Sequence, residues 1–322
     1  MFQQDILDFL VYLKSAHTSQ RFLQNCYLQQ KIPEPEKRSY ENSYRFLYYL
    51  EHGQTLYQTG MNSASAVKPI LYFYGMVHLL KACLLTKRPD YPENTSMLSH
   101  GVSTRKRKKQ QYAFLNDEVK IQHKGLFPYF TKHLFEIDQL PYQKIDMREL
   151  LVTIPELNDL FFHYKGQYEL VKIGYLGNVE LNFPISLLDS YHLTDTSFIS
   201  KLTNHISEIE NKVVDKDKVT ITLSKPLSPS AKGPFYFHAI DETFYLPQNR
   251  NFFSSNHEIM NHYLLLYNLS MISRYETEWW GDLLHTLPTE DYPFIQQFLT
   301  VTSTKVPTLL GHYLLRQNKG LG

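Results

Sequence analysis

Residues 66–85, AVKPILYFYGMVHLLKACLL, are apolar on nearly every side of the helix that their spacing predicts. A helix that is hydrophobic all round has no face to offer water, so it must lie inside other elements. Pro69 falls in its first turn, where a missing N–H costs nothing. Ser63 or Ser65 is placed to cap it. Covering helices are predicted upstream: Ile6, Phe9, Leu10 and Leu13 recur with a helical period in Phe2–Lys14, and Ser39–Tyr57 continues in the same manner. No stretch approaches the roughly 20 apolar residues that a membrane span needs. The first residues also lack the charged start and apolar core of a signal peptide. A soluble, cytoplasmic protein is expected.

The pattern changes near residue 87, where KRPDYPENT is rich in turn formers. Tyr112–Leu115 and Glu118–Gln122 read as short strands joined at Asn116-Asp117. Met147–His163 reads as a return to helix. Strands are predicted at Tyr168–Tyr175, Gly177–Phe183, Lys218–Leu223 and Pro234–Tyr245, with a helix at Ser197–Ile209 and a loop over 223–234. From His257 the chain reads as helix to its end. A length of 322 residues suits two domains or one with an insertion. The expected fold is α+β and predominantly helical. A helical region over 1–99 and one over 251–322 pack together around an inserted mixed α/β region, 100–250, with short antiparallel strands.

Residues 99–110, SHGVSTRKRKKQ, are the most unusual segment. Five consecutive cations, Arg105, Lys106, Arg107, Lys108 and Lys109, follow a glycine and two hydroxyl residues. Such a run repels itself unless solvent or an anion screens it. One reading is a solvated basic loop. The other is a site for a phosphorylated ligand, a nucleotide with several phosphates among the candidates. Arg105 and Arg107 would then clamp phosphate oxygens with their planar forks, and Lys106, Lys108 and Lys109 would add charge. His100 and Ser103 would orient the ligand, and Lys120 and Lys124 would close the other side if the strand pair folds back. The spacing is not that of a Walker loop.

Charge bears on this choice. The whole chain carries 33 Lys+Arg against 32 Asp+Glu, a formal +1. Residues 101–125 hold seven of the former and two of the latter, so a local +5 sits on a body of −4. That distribution disfavours general nucleic-acid binding and leaves room for a small polyanion.

Other constellations are incomplete. His257, Glu258 and His262 form H-E-x-x-x-H, one residue longer than the zinc motif. At i, i+5 the two histidines point about 140° apart. Cys26 and Cys83 are too few to staple a chain of this size, so a disulfide scaffold is out, and they show no C-x-x-C spacing. No catalytic residue, metal or cofactor is assigned. His78 and Lys81 lie on the apolar helix, where a lone histidine reads first as a hydrogen-bonded core residue. Trp279 and Trp280 stand in an acidic stretch, 276–291, either as core rings or with one exposed at a protein interface.

Residues 71–109, LYFYGMVHLLKACLLTKRPDYPENTSMLSHGVSTRKRKK, with the following LNDEVKIQHKGLFPYF, resemble the signature region of the bacterial YaaC-like family. That family is largely uncharacterised. Its genes commonly neighbour that of IMP dehydrogenase, which implies a link to purine metabolism and makes IMP dehydrogenase the implied protein partner. YFYGMVHLLKACLL followed by SHG is also similar to HEPN-type helical domains, many of which are RNases with an R-x(4–6)-H motif. Arg250 with His257, and Arg45 with His52, satisfy that spacing.

The expectation is a non-catalytic regulatory protein that binds a purine nucleotide or guanosine-type alarmone and a protein partner. The alternatives are a HEPN-like RNase, or a scaffold whose basic run meets an acidic partner.

Overall fold

The computed structural model describes residues 2–104, 112–287 and 289–319. Four helices open the chain: α1 (Phe2–Tyr12), α2 (Ala16–Gln29), α3 (Pro35–Asn62) and α4 (Lys68–Leu85). Then come β1 (Val102–Ser103), β2 (Glu118–Ile121), α5 (Leu126–Phe135), β3 (Lys144–Asp146), α6 (Met147–Val152) and α7 (Asn158–Lys165). The middle continues through β4 (Leu170–Tyr175), β5 (Glu180–Pro184), α8 (Ile185–Tyr191), α9 (Asp195–Leu202), β6 (Ile209–Val214), β7 (Lys218–Leu223), β8 (Tyr236–His238) and β9 (Thr243–Pro247). Helices α10 (Glu258–Tyr275), α11 (Thr277–Thr286) and α12 (Asp291–Lys319) close it. The chain is predominantly helical with an inserted mixed region, as its patterning predicts. It divides into two compact units, residues 1–147 with 262–322, and residues 148–261.

In the first unit α4 is the central element, packed against α3, α5 and α12. Twelve of its eighteen residues are buried, and among the other six Tyr74, His78 and Lys81 form a half-buried line along one side. Each buried Leu or Phe contributes about 1.5–3 kcal/mol of apolar transfer. Helices α3 and α4 come close together at Gly53 and Gly75. A Cβ on Gly53 would fall 2.7 Å from the Leu79 side chain, and one on Gly75 2.8 Å from the Tyr57 ring. The terminal helical regions meet as expected: α1 lies on α12, and Gly311 of α12 faces Ile6 and Leu10 of α1.

Neither Ser63 nor Ser65 caps α4. Ser63 ends α3, and the Ser65 hydroxyl lies 3.3 Å from Gln296 Oε1. The entry to α4 is instead a turn closed by Val67 N–H on Ala64 O, with Pro69 in the first turn.

Tyr112–Leu115 is not a strand. Residues 114–116 form a single 3-10 turn, and the Phe114 and Leu115 N–H groups go to a carboxylate, Asp291 Oδ2 at 2.8 Å and Oδ1 at 3.1 Å. Strands β1, β2 and β3 form a small antiparallel sheet in sequence order. Pairing Ser103 with Lys120 and Lys120 with Lys144 places these three on one face.

The second unit holds two antiparallel three-stranded sheets, ordered β4–β9–β8 and β5–β7–β6. The helix predicted over Ser197–Ile209 stops at Leu202, because Ile209 begins β6 and pairs with β7. The strand predicted over Pro234–Tyr245 is two, β8 and β9, which pair through Phe237 and Phe244. Asn158 ties α7 to β4: its side chain accepts from the Glu169 and Leu170 N–H groups and donates to Leu170 O. No helix of the described residues is long and apolar enough to cross a membrane.

Candidate functional site

The chain that leads into the basic run is held backbone to backbone. Gly101 (φ 76°) rests on Gly125 (φ 122°), and a Cβ on Gly125 would lie 2.4 Å from Gly101 Cα. Only two glycines permit that approach. Around it, Leu126 N–H donates to Ser99 O at 2.7 Å, Phe127 N–H to His100 O at 3.1 Å and Gln122 N–H to Gly101 O at 2.9 Å. Ser103 accepts from Gln122 Nε2 at 2.7 Å.

Both flanks of the run end on one side chain. Asn268, fully buried in α10, accepts from the Thr104 hydroxyl at 3.2 Å and donates to Asp117 Oδ2 at 2.8 Å. Tyr112 donates to the same Asp117 oxygen at 2.8 Å, and its ring meets Trp279 edge-on. Trp279 is half-buried, and Trp280 is buried with its indole N–H on Ala66 O. Arg105, Lys106, Arg107, Lys108 and Lys109 lie outside the described residues.

His100 is half-buried against three aromatic rings, Phe73, Tyr74 and Tyr267, with centroids 5.0, 6.1 and 5.7 Å away. Tyr263 fixes its backbone, donating to His100 O at 2.9 Å. Burial lowers its proton affinity, and Arg274 and Lys81 lower it further. Arg274, in the last turn of α10, donates from Nε to Ser270 O and lies against the Tyr275 and Tyr74 rings. Lys81 reaches over the Tyr49 ring at 5.6 Å, and burial lowers its proton affinity also.

One turn back on α4, His78 sits with its ring 4.9 Å from that of His52 on α3. Its Nδ1 is buried without a hydrogen-bond partner. Desolvation first, then Lys81 and His52, push its pKa down to about 4. Among the described residues neither Lys81 nor Arg274 forms an ion pair with a carboxylate. His100 and Arg274 both lie against the Tyr74 ring, and Tyr74 shares one side of α4 with His78 and Lys81, which both lie against the Tyr49 ring. The sequence signal for it is the 74, 78, 81 spacing on an otherwise apolar helix.

Lys120 is exposed beside Ser103, and its neighbour Lys144 is taken by Glu118. Lys124 is exposed and lines a hollow of about 500 Å³ with His123 and Lys132, and none of the rings around His100 is in that lining. A larger hollow of about 800 Å³ lies between α1, α3 and α12, apolar on the α1 side through Ile6, Leu7, Leu10 and Val11.

The two R-x6-H pairs differ in exposure. His52 is exposed, and its companion Arg45 donates to Tyr91 O. His257 is 2% exposed, and its Nδ1 accepts from Ile259 N–H. Among the described residues no group of three or more His, Cys, Asp or Glu could hold a metal ion. Cys26 and Cys83 are buried and unpaired, and burial pushes both thiols up, Cys26 to about 12. Neither is an activated nucleophile.

A family model described as YaaC-like Protein matches residues 11–314. No curated protein and no solved structure matches the chain.

Proposed function

We propose that this chain, which belongs to the YaaC-like family, is a non-catalytic regulatory protein that binds a phosphorylated anion along residues 100–109. The observation that carries this reading is the double use of Asn268. By holding Thr104 on one side and Asp117 on the other, it ties both approaches to the five-cation run to the buried core beside His100. Five adjacent cations repel one another, and a polyphosphate offsets that repulsion with charge-assisted hydrogen bonds. Ser103 and Lys120, adjacent across β1 and β2, add a hydroxyl and an ammonium to the approach through Thr104.

The purine part of the reading rests on family resemblance. A purine nucleotide or guanosine alarmone is the ligand it suggests, and IMP dehydrogenase the partner. Calorimetry with a panel of purine nucleotides tests the first. Wild type binds, and Arg105→Ala/Arg107→Ala loses at least about tenfold in affinity, since each charge-assisted contact is worth about 1.5–3 kcal/mol. No binding by wild type, or equal binding by the double variant, rejects it. Pull-down with IMP dehydrogenase under rising salt tests the second. A purely protein-binding scaffold would hold an acidic partner progressively more weakly as salt screens the run, with no nucleotide effect.

A second reading, a HEPN-like RNase, is favoured by one observation: exposed His52 and half-buried His78 face each other beside Lys81. It predicts metal-independent RNA cleavage that His52→Ala abolishes. Intact RNA after incubation with concentrated wild-type protein counts against it.

A further inference from the structure

Resting on the anion-binding reading, we propose that Lys81, His78, His100 and Arg274 form a second subsite for the same ligand, one that takes a doubly charged oxyanion such as a terminal phosphate. Each of the four side chains contributes. Lys81 is a half-buried ammonium whose one contact of note is an aromatic ring, and Arg274 brings a guanidinium held in place by a backbone carbonyl and two rings. Neither meets a carboxylate among the described residues. His78 carries a buried ring nitrogen with no partner. His100 lies within the fields of both cations. A tetrahedral oxyanion supplies the opposite charge that neither cation meets among the described residues, and acceptor oxygens for the Lys81 ammonium and the His78 ring.

The subsite also connects to the basic run. His100 is four residues before Thr104, where the described chain stops short of Arg105. A ligand with two separated anionic ends, as in a nucleoside polyphosphate, has a group for each. A lone inorganic anion fills only one.

Proton uptake follows from the same geometry. The groups facing the two imidazoles are Tyr49 and His52 from α3, Tyr74 and Lys81 from α4, and Tyr267 and Arg274 from α10. None of these is a carboxylate, and desolvation with the neighbouring cations disfavours the protonated form of both rings. A bound dianion reverses the local field and raises their proton affinity. By linkage, each proton taken up strengthens binding up to about tenfold per pH unit as pH falls. Anion affinity here rises toward acid.

The probe is inorganic sulfate, which stays doubly charged where histidine titrates. Histidine-labelled protein is followed by NMR, with His78→Gln and His100→Gln assigning the signals. Sulfate is expected to move both imidazoles toward the protonated form, and to bind about tenfold more tightly near pH 5.5 than near pH 8. Lys81→Met is expected to lose about tenfold in sulfate affinity without a lower melting temperature, because a half-buried ammonium with no ion pair is no support to the fold.

Sulfate that leaves both imidazoles unmoved, or binds Lys81→Met as well as wild type, overturns the subsite. If nucleotides still bind with dependence on Arg105 and Arg107, the subsite alone has failed. If neither nucleotide nor sulfate binds, the anion-binding reading falls with it.

Discussion

Asn268→Leu is expected to cost about 3 kcal/mol of stability, the range for withdrawing hydrogen bonds from buried polar and charged groups. The substitution keeps the volume and removes both functions of the amide. It takes an N–H donor from Asp117, a carboxylate only 7% exposed, and an acceptor from the Thr104 hydroxyl. Denaturant unfolding monitored by far-UV circular dichroism measures the loss, and a change below about 1 kcal/mol would show that the amide is not the joint described. Nucleotide affinity is expected to fall in the same variant even where it remains folded, because the two flanks of the basic run then move independently. Asn268→Asp separates charge from shape: it sets a second carboxylate beside Asp117, so its defect is expected to shrink as pH is lowered.

Gly125→Val has an expected cost of about 3–4 kcal/mol, from left-handed backbone strain and from steric overlap together. The strain exists because φ is 122°, and the overlap because the new Cβ would meet Gly101 N and Cα at 2.4 Å. Gly101 has nowhere to retreat. Its neighbours Ser99 and His100 accept hydrogen bonds from Leu126 and Phe127, so relief of the clash breaks those bonds. Gly166→Ala is the control, since φ is 74° there and no atom lies within 4 Å of the added Cβ. That substitution is expected to cost about 1 kcal/mol, the strain alone. Equal losses in the two variants, read by thermal melts, would mean that the Gly101–Gly125 contact contributes nothing.

The parts of this fold that were legible in the sequence are those governed by local composition. A segment apolar on every side, residues 66–85, announces a central helix whatever covers it. The basic run stands out for the same reason. The rest depends on partners distant in the chain. Tyr112–Leu115 alternates like a strand, yet its N–H groups are satisfied by Asp291, and no periodicity records a carboxylate from another helix. Ser197–Ile209 has helical spacing throughout, but pairing with β7 claims Ile209 for a strand. Ser63 and Ser65 are good capping residues placed one turn too early. Around His100 the limit is sharper: Lys81 and Arg274 are ordinary charges in sequence, and only folding brings them to one histidine. His78 reads as core by its neighbours Val77 and Leu79, and becomes notable only once its Nδ1 is seen without a partner.

Pro307 lies inside α12, the longest helix, and offers no N–H to the carbonyl of Ser303, so the helix continues through that turn with one hydrogen bond fewer. Beyond it, Gly311 carries the contact with Ile6 and Leu10 of α1. The first and last helices are thus mechanically joined on the far side of a weakened turn. A fusion partner or immobilisation tag attached before α1 or after α12 loads the same joint, and an attachment in the second unit avoids it.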